Sequence, residues 1–503
     1  MTAQLDRNSN TDKAFAGHWI AGAWSTAGTP SSSTSPSDGS VVGTFTSAGR
    51  PEAQAAIDAA REAFDNTEWS VNAALRSDAL LEFAGHLQER FMEIAAMLSR
   101  EGGKRLPETM WEVGGSVAWL KYAAATALTQ NAGRAAEVSP GVFFQSNPEP
   151  LGVAGVITPW NSPIILGVRA IGPALAAGCT VVLKMPGQTA LTNALFAEAA
   201  AQTASLPAGV LNIFTEAGNE GAPLLVESPQ VDVVSYTGST TVGRAIAAAG
   251  SSTLKRLNLE LGGKTPLILL EDADLDAALP QVVRAMVTMN GQFCVTGSRV
   301  LVHRSLAEQV RVRLSEMVSA IQVGKSDDPA SELGPLIDKD SVSRLDRIVR
   351  EASIGARVLV EGGPVTQGPL VDGAFYRPSL IEIDNVDSPL VQQEIFGPVQ
   401  TLEVFDNDDD AVRMANATQY GLAVSIFSRD ALRARTVGRQ IAAAGVWINT
   451  WALLSEHFEQ GGFKASGYGY LCGPRAIEEF QVLKVYAEMT QAAAMAAAGA
   501  AAG

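Results

Sequence analysis

The sequence predicts an α/β protein with two parallel-sheet domains, and three features carry that prediction. From residue 151 onward, short β-branched runs alternate with Ala-rich helical stretches: GVAGVI, TVVLK, VLNIF, VDVVSY and LKRLNLE. This alternation signals right-handed βαβ units and a parallel sheet covered by helices on both faces. A second series follows, PLILL, RVLVH, VQTLEVF, AVSIF and GVWIN, and predicts a second α/β domain. The chain of 503 residues is also too long for one hydrophobic core.

The N-terminal stretch MTAQLDRNSNTDKAF has no apolar h-region, and no run approaches 18 uninterrupted apolar residues, so the sequence reads as cytoplasmic with no membrane partner. The first 50 residues are rich in Ser, Thr and Gly and read as a surface arm with short strands rather than core. In PEAQAAIDAAREAF, the residues Ala53, Ala56, Ile57, Ala60 and Phe64 recur along one helical face behind a helix-starting proline. At the other end, QAAAMAAAGAAAG is low-complexity and reads as a frayed helix or as disorder.

Composition narrows the function classes. A formal charge of -16 argues against binding to nucleic acid or to an anionic membrane, both of which require a basic face. Small-molecule partners are favoured. Three cysteines, Cys179, Cys294 and Cys472, are too few and too scattered for a disulfide framework, and four histidines lack metal-ligand spacing. The reading is a reducing compartment and no metal.

In an open parallel sheet, ligands sit beyond the carboxyl ends of the strands. Here those ends carry chemistry: Asn161 in TPWNSP, Lys184 after TVVL, the Gly-Ser turn of Gly238 and Ser239, and Glu260 in ELGGK. Each has a bland structural reading taken singly. A Gly-rich turn opening a helix, however, offers free N–H groups and a positive dipole end to phosphate. By contrast GYGYLCG, residues 467–473, neither follows a clear strand nor opens a βαβ unit, and reads as a backbone turn.

Several motifs occur together and in order: TPWNSP; ELGGK, followed 34 positions after its Glu by the Cys of GQFCVTGSR; QEIFGPV; ANATQYGLA; and GGFKASGYG. Over nearly the whole chain, from HWIAGAW to VLKVY, the sequence resembles the aldehyde dehydrogenase superfamily, with a tunnel similar to that of enzymes acting on aromatic aldehydes such as salicylaldehyde or vanillin.

The resemblance implies a Rossmann-like cofactor domain (1–131 and 151–262), a catalytic domain (263–462), a small β oligomerisation arm (132–150 and 478–490) and an Ala-rich tail (491–503). It implies a homodimer or homotetramer. Residue by residue, Cys294 becomes the nucleophile, Glu260 the general base, and Asn161 with the Cys294 backbone N–H the oxyanion hole. Lys184 is implied to meet the adenosine ribose, Ser239 the pyrophosphate, and Glu394 with Phe396 the nicotinamide ribose and ring. Thr158, Trp160, Gly238 and Leu261 complete the implied cofactor site. The chemistry is coherent: a thiolate adds to an aldehyde, fixed donors hold the oxyanion, hydride leaves to NAD or NADP, and a carboxylate directs water onto the thioester.

Departures from the family pattern refine these expectations. The acid of KPxEQ is replaced by Gly187 in KMPGQ, which removes a group that would repel a 2′-phosphate and makes use of either NAD or NADP the expectation. Tyr470 and Leu471 stand where the family has Arg-Glu, leaving Glu260 as the expected sole base. Arg169 replaces a common aromatic eight residues after Asn161, a spacing that suggests one helical face. With Phe293, Val295, Trp451 and Leu454 it forms the expected tunnel for a flat or apolar aldehyde. A semialdehyde dehydrogenase, free-acid or coenzyme-A-acylating, and a catalytically silent binding protein on the same scaffold are the alternatives. Glu260 disfavours coenzyme-A acylation, and the presence of nucleophile, amide and base disfavours the silent protein.

Overall fold

A computed structural model describes residues 14–129 and 133–501. The N-terminal stretch up to residue 13, residue 132 at the start of the expected arm and the last two residues of the Ala-rich tail lie outside the described residues. In chain order, the elements used below begin with α1 (Leu106–Thr129), β1 (Val153–Ile157), α2 (Pro163–Ala177), β2 (Thr180–Pro186) and β3 (Leu211–Glu216). They continue with β4 (Val233–Thr237), α3 (Thr240–Gly250), β5 (Arg256–Glu260), β6 (Pro266–Leu269), β7 (Arg299–His303) and β8 (Val399–Phe405).

The strands β1 to β5 form the parallel centre of an eight-stranded sheet in the spatial order β5-β4-β1-β2-β3. The order reverses between β1 and β4, so a crevice opens there at the carboxyl edge. Register sets what meets at that edge: Ile157 pairs with both Lys184 and Tyr236, and Thr237 pairs with Glu260. β1 is buried at every position, as a central parallel strand covered on both faces must be. α2 is apolar almost all round and correspondingly buried; Pro163 starts it, and Gly178, at φ 103°, ends it in the left-handed conformation that glycine permits.

A second, seven-stranded sheet holds β6, β7 and β8 side by side with the strands Arg357–Val360, Ser379–Glu382, Ala423–Phe427 and Gly445–Ile448. All neighbours are parallel except Arg357–Val360 against Ser379–Glu382. A separate three-stranded antiparallel sheet joins Arg134–Ser139, Val142–Pro150 and Gln481–Met489.

Every β run named from the sequence forms a strand, and the structure corrects the reading elsewhere. The first 50 residues are not merely a surface arm: His18–Ile20 pairs antiparallel to β3 through Trp19 and Ile213, so Ile20 is drawn into the core, and Phe45 is buried as well. In the helix Arg50–Asn66, Ala63 takes the buried place expected of Phe64. GYGYLCG is not only a turn, because Gly467–Tyr468 pairs antiparallel to β5 and extends the sheet. The Ala-rich tail is helical from Gln491 to Ala501.

The second sheet encloses an ion pair. Arg299 on β7 grips Glu403 on β8 with two hydrogen bonds of 2.9 and 2.6 Å, and both side chains are buried. Glu403→Ala leaves the guanidinium buried without a counter-charge and is expected to cost roughly 3–5 kcal/mol. Denaturant unfolding checks this, with Arg299→Met/Glu403→Leu expected to lose less than the single variant because it buries no orphan charge.

Candidate active site

A cavity of about 630 Å³ lies along the carboxyl edge of β1, β4 and β5. Trp160 and Asn161 enter it after β1, Gly238 and Ser239 after β4, and Glu260 with Leu261 at the end of β5. Phe293, Cys294 and Val295 face it from the segment before β7, and Glu394 and Phe396 from the segment before β8. Arg169 of α2 and Leu454 also line it.

Thr158, Lys184, Gly187 and Trp451 do not line this cavity. Thr158 ties β1 to β2, donating from its N–H and its hydroxyl to the Lys184 carbonyl at 3.1 and 3.2 Å. Trp451 is a correction to the expected tunnel: it is buried behind the wall, its Nε1 donates to the Val295 carbonyl at 2.8 Å, and its ring meets Phe293 edge-on at 6.0 Å. Burial lowers the Lys184 pKa, with Glu216 on the neighbouring strand opposing the fall. Gly187 has a steric reason to be glycine, since a Cβ there would meet the Ala217 Cα at 2.7 Å.

The segment carrying Cys294 is sharply bent. Met289, Asn290 and Gly291 have φ values of 52°, 60° and 71°, a left-handed run costly for the first two residues. The Asn290 side chain holds the bend by donating to the carbonyls of Gly103 (3.0 Å) and Pro335 (2.8 Å) and accepting from the Gly334 N–H (2.7 Å). Asn161 Nδ2 donates to the Gln292 carbonyl at 3.0 Å, which uses one of its two amide protons and leaves the other for a ligand. Asn161 precedes the helix rather than riding on it, because α2 begins at Pro163; Arg169 reaches the same cavity from the helix itself.

Electrostatics follow from burial. The Glu260 carboxyl is pushed up to about 7 by burial, with Arg169 opposing, and its Oε1 has no hydrogen-bond partner. The Cys294 thiol is pushed up to about 12 by burial; Arg169 works against this, and Glu260 and Glu394 reinforce it. Burial disfavours the Arg169 charge, yet Cys472, Glu260 and Cys294 hold it above its ordinary value. Its Nε has no hydrogen-bond partner. A buried cation and a buried acid thus share one cavity, each with an unsatisfied atom.

The residues present suit a dinucleotide. Ser239 caps α3, its hydroxyl accepting from the Val242 N–H at 3.3 Å, and the positive end of that helix lies at the cavity. Gly238 rests so close against the Tyr236 hydroxyl that a Cβ would collide with it. Trp160 and Phe396 stand edge-to-face with centroids 5.6 Å apart, and Phe396 holds a left-handed φ of 58°. The Glu394 carboxyl accepts from the Gly263 N–H at 3.1 Å, and burial raises its pKa to about 7. Among the described residues, no cluster of His, Cys, Asp and Glu could hold a metal ion.

Sequence reasoning missed several lining residues. Leu166 precedes Arg169 by three positions on α2, so helical periodicity could have found it. Arg344 arrives from the helix Lys339–Ala352 and donates to the Ile395 carbonyl at 3.0 Å, a long-range approach with no local signal. Glu459 also lines the cavity, with its Oε1 3.3 Å from the Arg475 N–H, while Leu471 keeps the place of the family's Glu without a carboxylate.

Residues 24–486 match the aldehyde dehydrogenase family. The phenylacetaldehyde dehydrogenase of Pseudomonas fluorescens is 36% identical over 438 residues, 85% of this chain and 86% of that protein. Among solved structures, betaine aldehyde dehydrogenase from Staphylococcus aureus in complex with NAD+ superposes with a TM-score of 0.92 at 31% identity, covering 94% of this chain and 95% of that one. An NADP-dependent enzyme from E. coli superposes with a TM-score of 0.89 at 31% identity, over 94% and 98% of the two chains.

A step that requires ionised Glu260 should rise with pH and level off above about 7. Arg169→Ala removes the charge opposing burial, so the midpoint of the turnover-against-pH curve should move upward. An unmoved midpoint would separate the two groups electrostatically.

Proposed function

Because the chain belongs to the aldehyde dehydrogenase family, we propose that this cavity oxidises an aromatic or otherwise apolar aldehyde to the free carboxylic acid through a covalent Cys294 adduct. The enzyme is an NAD(P)-dependent aldehyde dehydrogenase. The observation that carries the reading is the meeting of Cys294, Asn161 and Glu260, from three separated segments, in one cavity.

Burial favours the protonated form of the Cys294 thiol, so its proton must leave as the sulfur attacks. Glu260, with its raised pKa, is suited to take that proton. Sulfur adds to the carbonyl carbon, and the oxygen becomes an oxyanion. The free amide proton of Asn161 and the Cys294 backbone N–H receive that charge, a donor pair worth several kcal/mol in a dry site. The nicotinamide accepts a hydride when bound. Glu260 passes the thiol proton to solvent and then takes a proton from water as that water attacks the thioester carbonyl; collapse expels the Cys294 sulfur, which Glu260 reprotonates, and the carboxylic acid leaves.

The cofactor rests, on this reading, against the α3 terminus and Ser239, with Glu394 and Phe396 beside the nicotinamide end. Lys184 stands at the adenosine ribose with no acid at residue 187, which favours tolerance of either NAD or NADP. The steric fit of Gly187 against Ala217 means that this tolerance is best measured directly with both cofactors rather than by adding a side chain.

Residues 1–131 and 151–262 act as the cofactor domain and 263–462 as the catalytic domain. Residues 132–150 and 478–490 act as an arm that joins subunits into a homodimer or homotetramer. The arm's apolar side chains support that role: Val138, Leu483 and Val485 are 60%, 68% and 60% exposed. No helix among the described residues is long and apolar enough to cross a membrane. Free cysteines suit a cytoplasmic setting.

Glu260→Gln removes the acceptor of both the thiol proton and the water proton, so formation of reduced cofactor in the first turnover and the steady-state rate should both fall. Stopped-flow absorbance checks this, and an unaltered steady-state rate would move the base role elsewhere.

Arg169 is proposed to meet the substrate: it lines the cavity, and a guanidinium there suits an aldehyde carrying an anionic or hydrogen-bonding substituent. Measured at a pH above the Glu260 midpoint of both forms, Arg169→Ala should raise KM for hydroxylated or carboxylated benzaldehydes and leave the KM for benzaldehyde nearly unchanged. An equal loss for all aldehydes, together with a lower Tm, would make Arg169 a support for α2 instead.

A further inference from the structure

The first turns of α1 hold three buried or largely buried charged side chains that the mechanism above does not use: Lys104, just before the helix, and Glu108 and Glu112 within it. Glu112 is fully buried. One of its oxygens pairs with Lys104 Nζ, and the other accepts from the backbone N–H groups of Ile164 (3.0 Å) and Ile165 (3.4 Å). Those are among the first N–H groups of α2, which have no partner within the helix. Ser162, the N-cap residue of α2, does not satisfy them; its hydroxyl lies 3.3 Å from Met289 Sδ instead. Glu112 therefore caps α2 from another element, three residues after Asn161.

Glu108, one turn earlier, acts on the other segment. Its Oε1 accepts from the Met289 N–H at 2.9 Å and from Arg105 Nη2 at 3.1 Å. Met289 opens the left-handed run that ends three residues before Cys294. The Gly103 carbonyl beside this cluster receives Asn290. One short stretch, residues 103–112, thus fastens both segments that bring oxyanion donors to the cavity.

We propose that Glu108 and Glu112 are positioning residues that set the separation between the Asn161 amide and Cys294. This rests on the reading of Asn161 as oxyanion donor. The physical case is that neither segment is held by side-chain contacts within it: one is a helix start without its own side-chain cap, and the other a strained bend whose Asn290 contacts all run to residues outside it. Carboxylates that each accept backbone N–H groups fix main chain rather than side chain, and both project from one rigid helix. A misplacement of about 1 Å can lower a rate ~100-fold.

The test uses the full chain and first-turnover kinetics with NAD+ and benzaldehyde. Lys104→Met/Glu112→Gln removes the ion pair but keeps an acceptor for Ile164, and should form reduced cofactor at close to the parent rate. Lys104→Met/Glu112→Leu removes the acceptor as well and should be slower by ~10-fold or more, as should Glu108→Leu, with NAD+ affinity kept. In an Asn161→Ala background the Lys104→Met/Glu112→Leu change should cause little further loss, because the donor that Glu112 places is gone, whereas Glu108→Leu, which acts on the Cys294 segment, should still slow the first turnover. Equal rates for the Gln and Leu forms of Glu112, or an undiminished Glu112 loss in the Asn161→Ala background, overturn the positioning role. If Asn161→Ala alone leaves the first turnover unchanged, the oxyanion reading fails, and the positioning role falls with it for that distinct reason.

Discussion

The amide of Asn161 reaching the carbonyl of Gln292 is the contact on which the site turns. It joins two segments with separate origins, one leaving the eight-stranded sheet after β1 and the other running toward β7 in the seven-stranded sheet. Neither sheet alone contains both the proposed nucleophile and its proposed oxyanion donor. The site therefore exists only to the accuracy with which two sheets are held together, and local propensity cannot supply that accuracy. It comes from polar groups placed in buried surroundings, where an unmade hydrogen bond costs most and so permits few alternatives. Asn290 illustrates the cost: its side chain makes three hydrogen bonds to main chain while its own backbone stays in the left-handed region.

The same burial that fixes the geometry also sets the chemistry. Glu260 and Arg169 are buried in the cavity wall beside Cys294, so each of the three feels its neighbours strongly. The acid is raised into the range where it can both accept and return a proton near neutrality. The thiol is raised beyond that range, which favours its protonated form. Arg169 opposes both shifts, and the proposed substrate contact and the tuning of the catalytic groups rest on one side chain. A change of substrate preference at that position carries a change of pH dependence with it.

Much of this was legible in the sequence, and the boundary of legibility has a physical form. Strand identity and strand ends follow from local pattern, and an open parallel sheet gathers its strand ends at one edge; Asn161, the Gly238 turn and Glu260 could be grouped on that basis. The Cys294 segment required the family motifs, because a lone cysteine between glycines has no local signature of reactivity. What could not be read depends on approach between distant segments. Ala217 lies against Gly187 because β2 and β3 are paired in one register, so a glycine that suggests cofactor tolerance also fills a steric slot. Trp451 has the composition of a tunnel wall and lies one layer behind it. His18–Ile20 sits in a polar-looking arm, yet pairs with β3.

The three cysteines differ in one further respect. Cys179 is fully buried, with its thiol pushed up to about 12 by burial; Cys472 is buried beside Trp119, whose Nε1 donates to its sulfur at 2.9 Å; Cys294 alone borders an open cavity. A thiol reagent thus meets one sulfur per folded chain and three per unfolded chain. Stoichiometry of labelling becomes a census of the sample, in which the first equivalent counts competent sites and any excess counts chains that have lost their fold.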